Sequence, residues 1–161
     1  GISVEGAKFM RLSVDKNFRD TDWEPVGGMK EIVVLEGDGV KTVYAQFKDQ
    51  AENVSETVSD DIILDTTPPK LISFDIDNGA EWSNHNEKKV LISIEAEEAV
   101  EMRLDHDPAF PNSSWQKYET SIKDYVLPGD DGEKTLFLIL KDEAGNTSTT
   151  YSAKIKLKRS F

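Results

Sequence analysis

Through most of this chain apolar residues occupy every second position of short runs, and polar or turn-forming residues separate the runs. Val43, Ala45 and Phe47 alternate with Tyr44, Gln46 and Lys48; Leu136, Leu138 and Leu140 alternate with Phe137, Ile139 and Lys141. A period of two places one set of side chains on one face of a β-strand and the other set on the opposite face. No window carries a sustained 3.6-residue stripe, so the pattern predicts an all-β protein. In the second half it predicts seven strands: Leu71 to Ile76, Val90 to Glu95, Val100 to Leu104, Trp115 to Tyr118, Ile122 to Leu127, Lys134 to Lys141 and Thr149 to Lys158. In the last of these Ile155 and Leu157 face inward, while Lys154, Lys156 and Lys158 face outward and blunt an edge.

The same pattern is written twice. At a shift of 92 to 93 residues FMRLSVD, ending at Asp15, matches EMRLDHD, ending at Asp107, and Trp23 falls on Trp115. GDGVKTVYAQFKDQAENVS, ending at Ser55, falls on GDDGEKTLFLILKDEAGNTS, ending at Ser148. ISVE at Ile2 to Glu5 resembles ISIE at Ile92 to Glu95. A collinear series of this length is a duplicated domain. Between the copies lies ILDTTPPK, where Pro68 and Pro69 fix φ, lack N–H donors and predict a short semi-rigid joint. The expected domains are therefore 1–66 and 67–161. The first lacks a counterpart of Leu71 to Lys89, a strand and its connecting loop. Seven short strands in about 90 residues fit a two-sheet sandwich of immunoglobulin or fibronectin III type, with a barrel as the competing closure. KDQAENVS and KDEAGNTS are the same turn built twice. Gly145 supplies positive φ at little cost, whereas Glu52 demands a different geometry or strain.

Charge narrows the partners. Nineteen basic against 31 acidic residues give a net charge of −12, which opposes binding to nucleic acid or to an anionic membrane. The acids are scattered, as on a solvated surface. Cysteine is absent, so neither disulfides nor thiolate metal sites hold the fold. No apolar run approaches the ~20 residues of a membrane span. The start at Gly1 reads as a processed or excised piece of something longer.

Candidate chemistry is sparse. The histidines are His85 and His106; no nucleophile motif or phosphate-binding loop accompanies them, GDGVK and GDDGEK being turns before strands. Asp105 and Asp107 are the most conspicuous carboxylate pair. No enzyme is expected. Calcium is the one plausible cofactor, because Asp, Asn and carbonyl oxygens suit a hard cation: the candidates are Asp105 and Asp107, Asp142 and Asn146, and Asp65 beside Asp60 and Asp61. Asx turns explain the same residues. The matched Trp23 and Trp115 predict packing over the core edge, with sugar stacking as the alternative; Trp82 has no counterpart. Phe137 and Ile139 point outward and form a candidate contact strip. A sheet edge beside Ile2 to Glu5 is left unpaired, to be filled by upstream chain or by strand addition from another chain.

The series MRLS, Trp23, GDGVKTVYAQFKDQAENVS and IILDTTPP resembles the tandem immunoglobulin-like or fibronectin III-like repeats of bacterial cell-surface and secreted multidomain proteins. The second copy departs from it by the inserted Asp131. The resemblance implies two β-sandwich domains in series, an extracellular or cell-surface location, and a non-catalytic spacer or adhesive role. Its implied partners are neighbouring domains of a longer chain, other surface proteins or glycans. The alternative is an accessory, carbohydrate-binding module of a secreted polysaccharide-degrading enzyme.

Overall fold

The computed structural model describes residues 1–83 and 87–158, and His85 lies outside them. Over the described residues the protein is all-β apart from a 3-10 turn at Asp77–Gly79, and it falls into two compact units, Gly1–Thr66 and Thr67–Phe161.

Unit 2 is a complete sandwich. One layer holds β5 (Lys70–Ile76), β7 (Lys89–Glu97) and β10 (Ser121–Val126) in the order β10-β7-β5. The other holds β6 (Trp82–Ser83), β8 (Glu101–Asp105), β9 (Gln116–Lys117), β11 (Gly132–Lys141) and β12 (Tyr151–Leu157) in the order β6-β12-β11-β8-β9. The alternation read from the sequence closes the interior. Leu136, Leu138 and Leu140 are fully buried, and they pack with Met102, Ile92 and Ile94 from both layers. β12 is not a bare edge, because the short β6 pairs with it in parallel, Trp82 opposite Lys156.

Unit 1 repeats only one of these layers. β1 (Phe9–Ser13), β2 (Glu24–Pro25), β3 (Gly39–Lys48) and β4 (Val58–Leu64) form a sheet ordered β2-β1-β3-β4. Its pairings, Met10 with Phe47 and Val43 with Asp60, reproduce Met102 with Leu140 and Leu136 with Ala153 in unit 2. The expected loss of an N-terminal strand is present, but the loss is larger than expected. Ile2 N donates to Gly28 O (3.1 Å) as Ile94 N donates to Thr120 O (3.0 Å), and the positive φ of Gly6 matches that of Glu98. Ile2 therefore stands at the position of Ile94, two residues from the alignment of ISVE with ISIE. The Ile-Ser alternation hides this slip, because a shift of two leaves every side chain on its own face. Unit 1 thus lacks the equivalents of all of β5 and of β7 as far as Ile92. Ile2 to Glu5 form no strand, and neither does the stretch matching β10, whose ladder partners in unit 2 are Lys89 to Ser93. The expectation that unit 1 closes an interior between two layers is not met.

Candidate functional site

The acidic candidates of unit 2 lie in two loops. At the end of β8, Asp105 is 5% exposed; its Oδ1 accepts from His106 N (2.7 Å) and Asp107 N (3.2 Å), and its Oδ2 from Asn112 N (3.0 Å). Asp107 Oδ1 accepts from Ala109 N (2.8 Å). Burial works to raise the Asp105 pKa, but the backbone donors outweigh it and hold the carboxyl below its usual 3.8. Unit 1 builds the same loop without that carboxylate. Ser13 occupies the position, accepting from Asp15 N (2.8 Å) and donating to Asp20 Oδ1, and Phe18 repeats the left-handed φ of Phe110, both 53°. The carboxylates of Asp105 and Asp107 accept the backbone N–H groups that wind this loop.

The second loop follows β11. Asp142, 4% exposed, accepts through Oδ1 from Asn146 N (2.8 Å) and through Oδ2 from Asn146 Nδ2 (2.9 Å). Asp49 and Asn53 repeat both bonds in unit 1 at 2.9 Å each. Burial works to raise the Asp142 pKa, but hydrogen bonds from Asn146, Gly145 and Ala144 outweigh it, for a net decrease. For Asp49 the Asn53 side chain is the largest cause of the decrease.

Within unit 2 the two loops do not converge. Asp105 pairs with Phe137, and Asp142 lies five positions further along the same strand path, roughly 17 Å at about 3.3–3.4 Å per residue. Asp65 belongs to unit 1, past the end of β4. Among the described residues no three His, Asp or Glu side chains are placed to hold a metal ion.

His106 sits between Thr135 and Tyr125. Its Nδ1 is 3.3 Å from Thr135 O and its Nε2 is 3.1 Å from the Tyr125 hydroxyl. Burial, and then the charge of Asp105, raise the Tyr125 pKa above 10.0. The trio ties the β8 loop to β10 and so braces one layer against the other.

The outer face of the β8–β11 pair carries features that alternation alone could not reveal. In unit 1 Arg11 stacks on Phe18 (4.5 Å) and Trp23 (4.7 Å), and Lys48 lies over Trp23 (5.1 Å). In unit 2 Arg103 lies over Phe110 (5.5 Å) and Trp115 (5.8 Å), with Lys141 over Trp115 (4.4 Å). These cation–π contacts account for the matched tryptophans. The signal was present in the sequence as the joint recurrence of Arg, Phe, Trp and Lys. Phe137 and Ile139 are half-buried on this face. Ile139 stands where Gln46 does in unit 1; Gln46 Oε1 accepts from Arg11 Nε (3.0 Å) and Nη2 (2.6 Å). Lacking that acceptor, Arg103 turns its Nη2 to Phe110 O and Ser113 O, and its buried Nε has no partner.

No family model matches the chain, and no curated protein matches it. Among solved structures it is similar to fibronectin(III)-like modules of Clostridium thermocellum CbhA, with 10% identity over 99% of this chain and 83% of that one, TM-score 0.47. It is also similar to the D00–D0 domain of Intimin, with 11% identity over 92% of this chain and 78% of that one, TM-score 0.34.

Proposed function

We propose that this chain is a non-catalytic spacer or adhesive segment of an extracellular, cell-surface multidomain protein. The observation that carries the reading is the path of the chain through unit 2. β6 runs parallel to β12 and meets its final residues, and β5 packs along β12. The chain thus enters at Lys70 near one pole of the sandwich and leaves after Leu157 near the other, about seven strand residues or roughly 23 Å away. A module entered at one pole and left at the other transmits load and sets distance when placed in series. No helix among the described residues is long and apolar enough to cross a membrane.

Engagement of Asp105, Asp107 and Asp142 in loop hydrogen bonds supports the non-catalytic part. Cations lie over all three tryptophans, Lys156 over Trp82 at 5.1 Å; Trp82, 54% exposed, is the most exposed of them and so the one that tests glycan stacking. Sedimentation with insoluble cellulose, chitin and peptidoglycan separates the readings. A spacer shows no retention beyond that of Trp82→Ala. Retention that Trp82→Ala abolishes would replace the spacer with an accessory glycan-binding module.

A further inference from the structure

Three Asn-X-Ser triplets with X other than proline occur in the chain: Asn53-Val54-Ser55, Asn112-Ser113-Ser114 and Asn146-Thr147-Ser148. Such a triplet is the acceptor pattern for attaching a sugar to the asparagine side chain. It asks two things of the fold: an amide Nδ2 that is not already committed, and a hydroxyl two residues on that a transferase can grip. Two of the three triplets meet neither demand. Asn53 Nδ2 donates to Asp49 Oδ2 and Asn146 Nδ2 to Asp142 Oδ2, each at 2.9 Å. Ser55 Oγ accepts from Phe47 N (3.0 Å) and donates to Glu56 O (2.8 Å), and Ser148 Oγ accepts from Leu140 N (2.9 Å) and donates to Thr149 O (2.8 Å). Both triplets are also tied into their hairpins by bridges, Lys48 with Val54 and Lys141 with Thr147. Their polar groups close the repeated turn.

Asn112-Ser113-Ser114 is different. It lies between β8 and β9, ahead of their ladder, which begins at Gln116. Asn112 and Ser114 are both exposed, and neither side chain makes a hydrogen bond among the described residues. The backbone beneath them is held from the sheet. Arg103 Nη2 donates to Phe110 O (2.6 Å) and Ser113 O (2.7 Å), and Asp105 Oδ2 accepts from Asn112 N (3.0 Å). Unit 1 shows why the side chain at 112 is spare. At the shift of 92, Ser13 and Asp20 stand where Asp105 and Asn112 do, and there the Asp20 carboxylate accepts the Ser13 hydroxyl. In unit 2 the carboxylate sits at the strand end, as Asp105, and takes the backbone N–H of residue 112 directly. The loop is thus wound without the Asn112 side chain, whose amide is left in solvent on an anchored stretch of backbone.

We propose that Asn112 is an acceptor for N-linked glycosylation, taking a sugar activated at its anomeric carbon by a diphosphate. Asn112 Nδ2 attacks C1 of the sugar. The C1–N bond forms as the C1–O bond to the diphosphate breaks, the diphosphate leaves with the bonding electron pair, and one Nδ2 proton passes to a base of the transferase. Ser114 supplies the hydroxyl by which the transferase positions the asparagine. A sugar nucleotide and a lipid-linked sugar deliver the same electrophile, so either serves as donor. A spacer and a glycan-binding module would bear the sugar equally, and sedimentation with insoluble glycans, which separates those two, does not read this site.

The test offers the whole folded chain to two transfer systems, a soluble N-glycosyltransferase with UDP-glucose and oligosaccharyltransferase membranes with lipid-linked oligosaccharide. Synthetic peptides Asp49 to Thr57, Phe110 to Tyr118 and Asp142 to Thr150 serve as unstructured references, and mass spectrometry of proteolytic fragments locates the sugar. Expected is transfer to Asn112 of the folded chain in at least one system, and the active system identifies the donor. Asn53 and Asn146 should react at least about tenfold more slowly in the folded chain than in their peptides, because they react only from an opened turn. Asn112→Gln and Ser114→Ala should each abolish transfer to this loop without shifting the melting midpoint. A folded chain that stays unmodified at Asn112 in both systems would overturn the proposal, whether or not the peptide is modified. So would undiminished transfer in Ser114→Ala, or transfer to Asn53 or Asn146 as fast as to Asn112.

Discussion

At the scale of single residues, the duplication supplies its own controls. Glu52 has φ 69° where Gly145 has φ 93°, and the turn hydrogen bonds agree: Glu52 N to Asp49 O at 3.2 Å, Gly145 N to Asp142 O at 3.3 Å. The turn is therefore not rebuilt around Glu52; the residue is held in the left-handed region, which costs about 1 kcal/mol for a residue with a Cβ. Its 3.5 Å contact with Lys48 involves a side chain 81% exposed and compensates little. Glu52→Gly should stabilise unit 1 by roughly 0.5–1 kcal/mol, measured by urea unfolding. Arg103 offers the converse case. Giving its buried Nε an acceptor with Ile139→Gln should raise the stability of unit 2 by about 1 kcal/mol, since a hydrogen bond to a charged group is worth about 1.5–3 kcal/mol and a half-buried aliphatic chain is lost in exchange. Ile139→Ala loses the packing and gains no acceptor, so its melting midpoint should fall below wild type. Equal midpoints for the two variants would mean that solvent already satisfies Nε.

At the scale of elements, the sequence made unit 2 almost fully legible. All seven expected strands form, with ends displaced by a residue or two, because alternation marks both the strand and its buried face. β6 escaped because a two-residue strand has no period to read, and its partner β12 lies some 75 residues away. The break in β10 escaped as well. Its register against β7 shifts between Ile122 and Tyr125, with Asp124 at φ 55°, and an Asp inside an apolar run does not announce a bulge. Of the candidate site, the loops were legible but their purpose was ambiguous, since Asx turns and calcium loops draw on the same residues. The uncovered face of unit 1 was visible only in part. Val43, Ala45 and Phe47 read as core, and what a core packs against is not written in the strand that faces it. The matched isoleucines test this: Ile155→Ala should cost about 2–5 kcal/mol and Ile62→Ala under about 0.5 kcal/mol, each read from the transition of its own unit.

At the scale of the whole molecule, acid should act through loop carboxylates more than through ion pairs. Asp105 and Asp142 in unit 2, like Asp15 and Asp49 in unit 1, are held below 3.8 in the folded state. A depressed carboxylate contributes stability that is present above its unfolded pKa and lost as pH falls through the lower folded value. Tyr125 sets the opposite limit: its pKa is raised above 10.0, so its contribution is complete below that value and is lost as pH rises through the folded one. The melting midpoint of unit 2 should accordingly stay flat between about pH 5 and pH 10 and fall on both sides. The exposed pairs Lys154–Glu133 (2.8 Å) and Lys156–Glu81 (2.7 Å) also lower their glutamates, but salt screens them. Calorimetry at low pH with and without 1 M salt tells these causes apart. If the loops dominate, the drop below pH 4 persists in salt and is shallower in Asp142→Asn, which removes one titrating group while keeping an acceptor for the turn. A drop that salt abolishes would transfer the acid sensitivity to the surface pairs, and the loops would then hold their shape whether or not their carboxyls are charged.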